Sequence, residues 1–458
     1  MMRALIVFTR APLPGRTKTR MMPYLKGEEC ALLHEAMLKD ISRECRKCRA
    51  NLFISYTPSE GLQSLRSIFG KNCEYLLQEG EGLGERMHHA IENVLSKGYS
   101  SCILIGSDIA ELQGEDLEKA FDRLERADLV FGRSRDGGYY LVGMKKAWRE
   151  AFDLDRYGHE SVFEETLSRL KERGLKIAYA RTLYDLDTKE DLCLYRERMR
   201  KYGIFGKKSR RRQMLRAKRL QEGYLGKFLK ERIRISIIIP VYNEEKTILA
   251  LQKQLLPHLE EAEIIFADGG STDRSVELID RRFKLIRTSK GRALQMNEAA
   301  KQSSGDILFF LHCDSELPKN FLEEIREVIV NYRAGCFGIA FHSKNFFMFT
   351  CRVISNHRIK DRKVMFGDQG IFVERKLFFE AGMFPPLPIM EDYQFSLTLK
   401  EMGVRLGMAK HRIYTSDRRF RGSTMDKLKL MWKMNRLRKM YRDGKDIERI
   451  ARLYRDLR

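Results

Sequence analysis

The amino-acid sequence predicts an α/β protein of two domains of one kind, each a mostly parallel sheet flanked by helices. Three observations predict this. First, 458 residues are too many for one ordinary hydrophobic core. Second, ALIVFTR (4–10) and ISIIIPVYN (235–243) are both short β-branched runs that break into a polar loop, as the first buried strand of a parallel sheet does. Third, helical and apolar stretches alternate after each run, and in each half a later apolar run ends on aspartate. CILIGSD ends at Asp108, and ILFFLHCD ends at Asp314.

Composition narrows the partners. Lys plus Arg total 86 against 63 Asp plus Glu, a formal charge of +23. That balance favours anionic partners: nucleotides, nucleic acid or an acidic membrane surface. No base-stacking motif accompanies the charge, so nucleic acid is the weakest of the three. Nine scattered cysteines suit a reducing cytosol better than a disulfide framework. Cys45 and Cys48 form a CxxC with no second pair, which disfavours a zinc site. The N-terminal MMRALIVFTRAPLPG has too short an apolar run for a signal peptide, and no run reaches the ~20 residues that span a bilayer. The expected location is cytoplasmic, with at most peripheral contact on the inner membrane face.

The first domain is expected over 1–198. Its first strand leads into APLPGRTKTR (11–20), where Gly15 permits a turn and Arg16, Lys18 and Arg20 supply three cations within five residues. Backbone amides with such cations make a cradle for nucleotide phosphates; the plain alternative is a basic surface loop. GEGLGERMHHA, GSDIAEL, SRDGGYYLVG and LYDLDTKEDL come next along the chain. Asp108, Asp136 and Asp187 are candidates to surround one phosphate-bound divalent cation, Mg or Mn. Asp136 could instead only shape the Gly137–Gly138 turn, and Asp187 only cap the helix entered at TKEDL.

A basic linker is expected over 199–233; residues 201–234 hold thirteen basic and two acidic side chains. It reads either as a solvated connector or as a contact for acidic lipid headgroups.

The second domain is expected over 234–425, with a basic helical tail over 426–458. Ligands of open α/β sheets sit beyond the carboxyl ends of the strands, and four acidic clusters fall there. Asp268 closes AEIIFAD and opens DGGSTD, whose glycines allow close backbone approach and whose Ser271, Thr272 and Asp273 can cap a following helix. Asp314 ends a buried strand. A hard cation bridging two phosphates needs one or two such oxygens, whereas a solvated loop residue needs no ligand. FGDQGIFV forms a close-packed polar loop before another strand. PLPIMEDYQF places Glu391 and Asp392 at the start of an amphipathic helix, where a carboxylate can take a proton from an incoming hydroxyl or merely cap the helix.

In this order PVYNEE, DGGSTD, HCDS, GDQG and MED resemble the family 2 glycosyltransferases of GT-A (Rossmann-like) fold. GRALQMNEAA, AGCFGIAF and TSDRRFRG narrow the resemblance, over about 234–425, to the second of two transferases associated with radical-SAM genes and assigned to arsenosugar biosynthesis. The resemblance implies that Asp268 contacts the donor nucleoside and Asp314 the metal on its diphosphate. It implies Asp392 as the base of an inverting displacement and Glu244 in the nucleotide pocket. Arg292 and Gln295 would border the donor, and Arg418 and Arg419 would neutralise the leaving diphosphate. Cys313 stands where a small residue is usual, and its side chain is expected on the other side of the strand.

Residues 3–195 resemble the partner transferase of that set and, through it, the guanylyltransferases that make molybdenum and deazaflavin cofactors. This implies a second nucleotide-binding GT-A-like domain, with Arg16, Lys18 and Arg20 on phosphate and Asp108 on the metal. GSDIAEL lacks the Cys-Pro usual after the aspartate, and YGHES (157–161) replaces a Trp-Ser-Thr type sequence. The acceptor side of this pocket should therefore differ from its relatives.

The expectation is a bifunctional transferase using a nucleotide-sugar or nucleoside triphosphate and a small-molecule or lipid-linked hydroxyl acceptor. The first alternative is a polyprenyl-phosphate glycosyltransferase docked on the membrane through the linker and NFFMFTCRVI (345–354). The second is a nucleotide-sensing or polyanion-binding scaffold without turnover.

Overall fold

A computed structural model of the chain describes residues 2–202, 220–342, 356, 359, 364–415 and 424–455. They form two compact units, Met1–Leu229 and Lys230–Arg458.

The first unit holds strands β1 (Arg3–Arg10), β2 (Asn51–Thr57), β3 (Glu74–Leu77), β4 (Ser101–Gly106), β5 (Leu129–Arg133), β6 (Tyr139–Met144) and β7 (Ile177–Tyr179). Their order is β3-β2-β1-β4-β6-β5-β7. The first four run parallel, while β6 is antiparallel to both neighbours, β4 and β5. Side chains alternate between two buried faces. Leu5, Val7, Ile54 and Ile103 pack on one side under the helices Gly27–Cys45 and Gly114–Leu124. Ala4, Ile6, Phe53 and Leu104 pack on the other under Leu83–Ser96 and Val162–Glu172. Burial on both faces is why these strands read as unbroken apolar runs.

The second unit holds β8 (Ile235–Val241), β9 (Ala262–Asp268), β10 (Lys284–Arg287), β11 (Ile307–Phe310), β12 (Ser315–Glu316), β13 (Ala334–Ala340), β14 (Ile371–Glu374) and β15 (Leu406–Thr415). Their order is β10-β9-β8-β11-β14-β13-β15-β12. Apart from the two-residue β12, this is the order of the first sheet. β14 is antiparallel to β11 and β13, as β6 is to β4 and β5. The two mixed α/β sheets therefore share one topology.

Two stretches depart from the sequence reading. No helix comes after DGGSTD: residues 274–278 make turns. Asp273 accepts from the Ser275 amide at 2.9 Å and the Glu245 amide at 3.2 Å, so its carboxylate closes a local turn instead of capping a helix. The segment is also too short to offset helix nucleation by itself. At the supposed linker, residues 203–219 lie outside the described residues, but the chain from Leu220 onward is folded. Leu220, Leu225 and Leu229 pack with Leu33, Met37, Leu192 and Tyr195 in the first unit. Both oxygens of Asp40 cap the helix Tyr224–Glu231, accepting from the amides of Tyr224 at 3.0 Å and Leu225 at 2.9 Å.

The tail forms the helices Thr424–Arg442 and Ile447–Arg455. Leu437 and Ile450 pack with Val364, Met390 and Tyr393, and the Tyr441 hydroxyl donates to Gln394 at 2.7 Å. Among the described residues no helix is long and apolar enough to cross a membrane.

Candidate functional site

Beyond the carboxyl ends of β1 and β4 the first unit opens into a cleft of about 520 Å³. Lys18 lines it in a left-handed backbone conformation, φ 50°, a costly one for a side chain larger than glycine. Its Nζ donates to Asp108 Oδ1 at 2.5 Å, the Leu186 carbonyl at 2.5 Å and Asp187 Oδ1 at 2.9 Å. The Lys18 side chain is 2% exposed, whereas that of Asp108, facing the cleft, is 45% exposed. Burial alone would lower the Lys18 ammonium, but Asp108 and then Asp187 outweigh it and keep it charged. Arg20 stands 3.7 Å from Asp187 and lines the cleft. Arg16 does not line it and pairs with Glu60, while Gly15 makes the turn at φ 74°.

Asp136 does shape its turn, accepting from the Gly138 amide at 3.1 Å and from the Ser134 hydroxyl. It also faces Asp185, a residue the sequence reading passed over. Burial first, then the Asp136 charge, push Asp185 up to about 8. The helix after Asp187 is capped by its neighbours: Asp191 Oδ2 accepts from the Thr188 amide and hydroxyl, both at 2.8 Å. That leaves the Asp187 carboxylate to the cleft. Asp108, Asp136, Asp185 and Asp187 thus share one cavity wall. Yet among the described residues no three His, Cys, Asp or Glu groups are arranged to hold a metal.

Arg10, Arg86 and His34 also line the cleft. His34 Nε2 lies 3.1 Å from the Arg10 carbonyl and 3.3 Å from Thr9 Oγ1, and burial pushes the imidazole down to about 4. Tyr157, Gly158 and His159, from the stretch that departs from the resembled family, line the same cleft. Cys45 and Cys48 are elsewhere, buried in the core, and burial pushes both thiols up.

In the second unit the loops after β8 and β9 interlock. Asn243, at φ 56°, donates its amide to Ser271 Oγ at 3.0 Å and accepts from the Thr272 amide at 2.8 Å. Glu244 donates its amide to Ser275 Oγ at 2.7 Å, while its carboxylate accepts from the Thr247 hydroxyl at 2.6 Å. Asp268, 4% exposed, accepts from the amides of Gly270 and Ser271 at 3.0 and 3.1 Å. Gln295 is buried and ties the strand ends together, donating to the carbonyls of Val241 at 2.7 Å and Ala267 at 2.8 Å.

Past β11, Cys313 is buried with its thiol 3.6 Å from the Pro240 carbonyl, while Asp314 is half-buried. The aliphatic positions flanking Cys313 in its packing group, Ile239 and Leu311, belong to the core opposite Phe310. The helix Glu391–Glu401 brings in the last carboxylates. Asp392 Oδ2 accepts from the Gly367 amide at 2.7 Å, and Oδ1 from the Tyr393 amide at 2.6 Å. A side chain at Gly367 would come within 2.9 Å of the His312 ring and 3.3 Å of Asp392, so any larger residue there would push these side chains aside. Glu391 is buried and pairs with Arg292 at 3.4 Å. Burial and then Asp392 push Glu391 above the usual carboxylate range, while the charges of Glu391, Asp392 and Asp314 hold the Arg292 guanidinium protonated against its own burial. Arg418 and Arg419 lie outside the described residues.

The two sites correspond by register. Gln78 in the first unit donates to the carbonyls of Thr9 at 3.1 Å and Ser55 at 3.0 Å, as Gln295 does to Val241 and Ala267. Phe8 pairs with both Ser55 and Gly106, and Pro240 pairs with Ala267. Counting on from the Ile238–Phe310 pair puts Pro240 level with His312. Asp108 and Asp314 each come two residues later.

Known proteins resemble both units. The model of the family described as "Glycosyl transferase family 2" matches residues 236–383. The second unit carries a glycosyl transferase family 2 domain. In the first unit, residues 41–159 match a family described as "Uncharacterized protein conserved in bacteria (DUF2064)". A curated relative from Haemophilus influenzae, described as an uncharacterized glycosyltransferase, is 36% identical over 102 residues, covering 20% of this chain and 40% of its own length. The chain thus spans less than half of that relative. Among solved structures, a Desulfovibrio desulfuricans protein assigned as a nucleotide-diphospho-sugar transferase is 27% identical, with a TM-score of 0.42 over 50% of this chain and 99% of that one. Glucosyl-3-phosphoglycerate synthase from Mycobacterium tuberculosis, solved with Mn2+, UDP and glucosyl-3-phosphoglycerate, is 18% identical, with a TM-score of 0.34 over 47% of this chain and 82% of that one.

Proposed function

We propose that the family 2 domain moves a sugar from a nucleotide-sugar donor to a hydroxyl acceptor with inversion, and that the first domain is a second nucleotide-using transferase. The observation that carries the reading is the state of the paired acids Glu391 and Asp392. Arg292 sequesters Glu391, whereas the Gly367 amide orients Asp392 and leaves it lone pairs to spare. Asp392 takes the acceptor proton as the acceptor oxygen bonds to the anomeric carbon. The bond to the diphosphate breaks on the opposite face, and its electron pair leaves with the nucleoside diphosphate. Asp268 and Gln295 hold the loop against which the nucleoside would lie, and Arg292 adds positive charge beside it.

Asp314 fits a divalent cation. It is half-buried past a strand end, and among the described residues its carboxylate has no hydrogen-bond or ion-pair partner. Mg or Mn held there would neutralise charge on the departing diphosphate.

For the first domain, a cleft combining Arg10, Lys18, Arg20 and Arg86 with four aspartates supports a phosphate-bearing ligand, in nucleotidyl transfer or in a second sugar transfer. A donor screen with Mg or Mn, reading nucleoside diphosphate and pyrophosphate separately, tests both halves. The arsenosugar route supplies the first acceptors to try. Diphosphate lost in Asp392→Asn and retained in Asp108→Asn assigns sugar transfer to the second domain. Pyrophosphate with the reverse dependence makes the first a nucleotidyltransferase. Neither product with any donor sinks the catalytic reading and leaves a binding scaffold.

A second reading, a lipid-linked acceptor at an anionic membrane surface, is favoured by the helix Thr424–Arg442. It exposes Trp432 (64%) and Met425 (60%) among Lys429, Lys433, Arg436 and Lys439. About half of the basic linker and all of NFFMFTCRVI lie outside the described residues. Co-sedimentation with acidic liposomes that disappears in Trp432→Ala supports this reading; no binding at low salt excludes it.

A further inference from the structure

We infer that Lys18 is the resident cation of the first-domain cleft, occupying the position between Asp108 and Asp187 where the sequence reading put a divalent metal. An ammonium has three protons to donate. All three are used here, on Asp108, the Leu186 carbonyl and Asp187, within 2.9 Å. The group is closed over, with 2% of the side chain exposed. Its partners come from chain segments 90 and 169 residues away, so the contact is a product of the fold and not a chance surface pairing.

The charges also balance. Two carboxylates face one buried ammonium, and Arg20 stands at the second oxygen of Asp187. A divalent ion between the same oxygens would sit against an ammonium that has no exit to water. Like charges at that range repel strongly where solvent screening is poor. The left-handed backbone at Lys18 points the same way, because a strained conformation persists only where surrounding contacts hold it. Lys18, with Arg20 beside Asp187, therefore gives the aspartates fixed positive partners and leaves Arg10 and Arg86 around the cleft for an anionic ligand.

The inference is independent of which group the first domain transfers. It is tested by titrating Mn2+ into the full chain without nucleotide and counting bound ions by electron paramagnetic resonance. The wild type, Lys18→Met, Asp108→Asn and the Lys18→Met/Asp108→Asn double variant are compared. The expected result is one more bound Mn2+ in Lys18→Met than in wild type, lost again in the double variant. Asp108→Asn alone should leave the count unchanged. A folded Lys18→Met with no added ion overturns the inference, as does loss of one ion in Asp108→Asn alone. If Lys18→Met fails to fold, the Asp108→Asn comparison decides by itself. Ions bound in the second domain appear equally in all four proteins and cancel.

Discussion

Asp108 and Asp314 hold equivalent places, each two residues past the strand position level with Phe8 or Pro240, yet their electrical settings are opposite. Asp108 is met by a buried lysine and shares it with Asp187. Asp314 has no such partner among the described residues, and Arg292, whose charge it feels, is committed to Glu391. One sheet order, tied by the same kind of glutamine, thus carries one cleft with an internal cation and another with a carboxylate to offer. The backbone fixes where a strand-end aspartate stands; its charge state is set by side chains arriving from elsewhere.

The strongest way to break this comparison is at the reacting oxygen. Asp392→Asn should lower diphosphate release by roughly 10²–10⁴-fold, the usual worth of a positioned base, in steady-state assays where Asp108→Asn has little effect. Equal losses in both would mean the two clefts serve one reaction. Next, Asp314→Asn should cost roughly a hundredfold in that turnover at limiting Mn2+, partly recovered at high Mn2+. An unchanged metal dependence would remove Asp314 from the metal's environment.

The glutamine ties sharpen the likeness instead of the contrast. Gln295→Ala removes two buried hydrogen bonds, although the Val241 carbonyl keeps the Gly269 amide, and should destabilise the second domain by about 1–3 kcal/mol in urea unfolding. Gln78→Ala should cost its own domain less, because Gln78 is only half-buried. The last test is a pH slope. His34 titrates near 4 in the fold, below its ordinary 6.5, so it is neutral when folded. Its contribution is complete above pH 6.5 and is lost as pH falls toward 4, at up to about 1 kcal/mol per pH unit. His34→Gln should flatten that part of the first domain's melting profile, though Asp108, Lys18 and Asp187 nearby also bear on it. An unaltered profile would mean the imidazole is solvated.

The sequence made the architecture plain because buried parallel strands announce themselves locally, and ILFFLHCD and CILIGSD mark strand ends without any partner in view. The motif loops were legible for a related reason: Asn243, Asp268 and Asp273 spend their hydrogen bonds on neighbouring loops of the same motifs. The features that stayed hidden depend on distant residues. Nothing in GRTKTR reveals that Lys18 turns inward and Arg16 outward. Asp185 was within reach, since it alternates with Asp187 in LYDLDT and an extended chain puts such residues on one face. Its pairing with Asp136 required the fold. Gln295 read as a donor contact, yet both its donated bonds go to strand carbonyls.

The capping of the helix Tyr224–Glu231 by Asp40 has a practical consequence for anyone dissecting the gene. A fragment ending near residue 198, where the motifs of the first half stop, would leave the Asp40 carboxylate without its amides and bare the Leu33–Met37 face of the long helix. Such a fragment should be poorly soluble. One carried through Leu229 keeps that seam shut and is the piece to express alone.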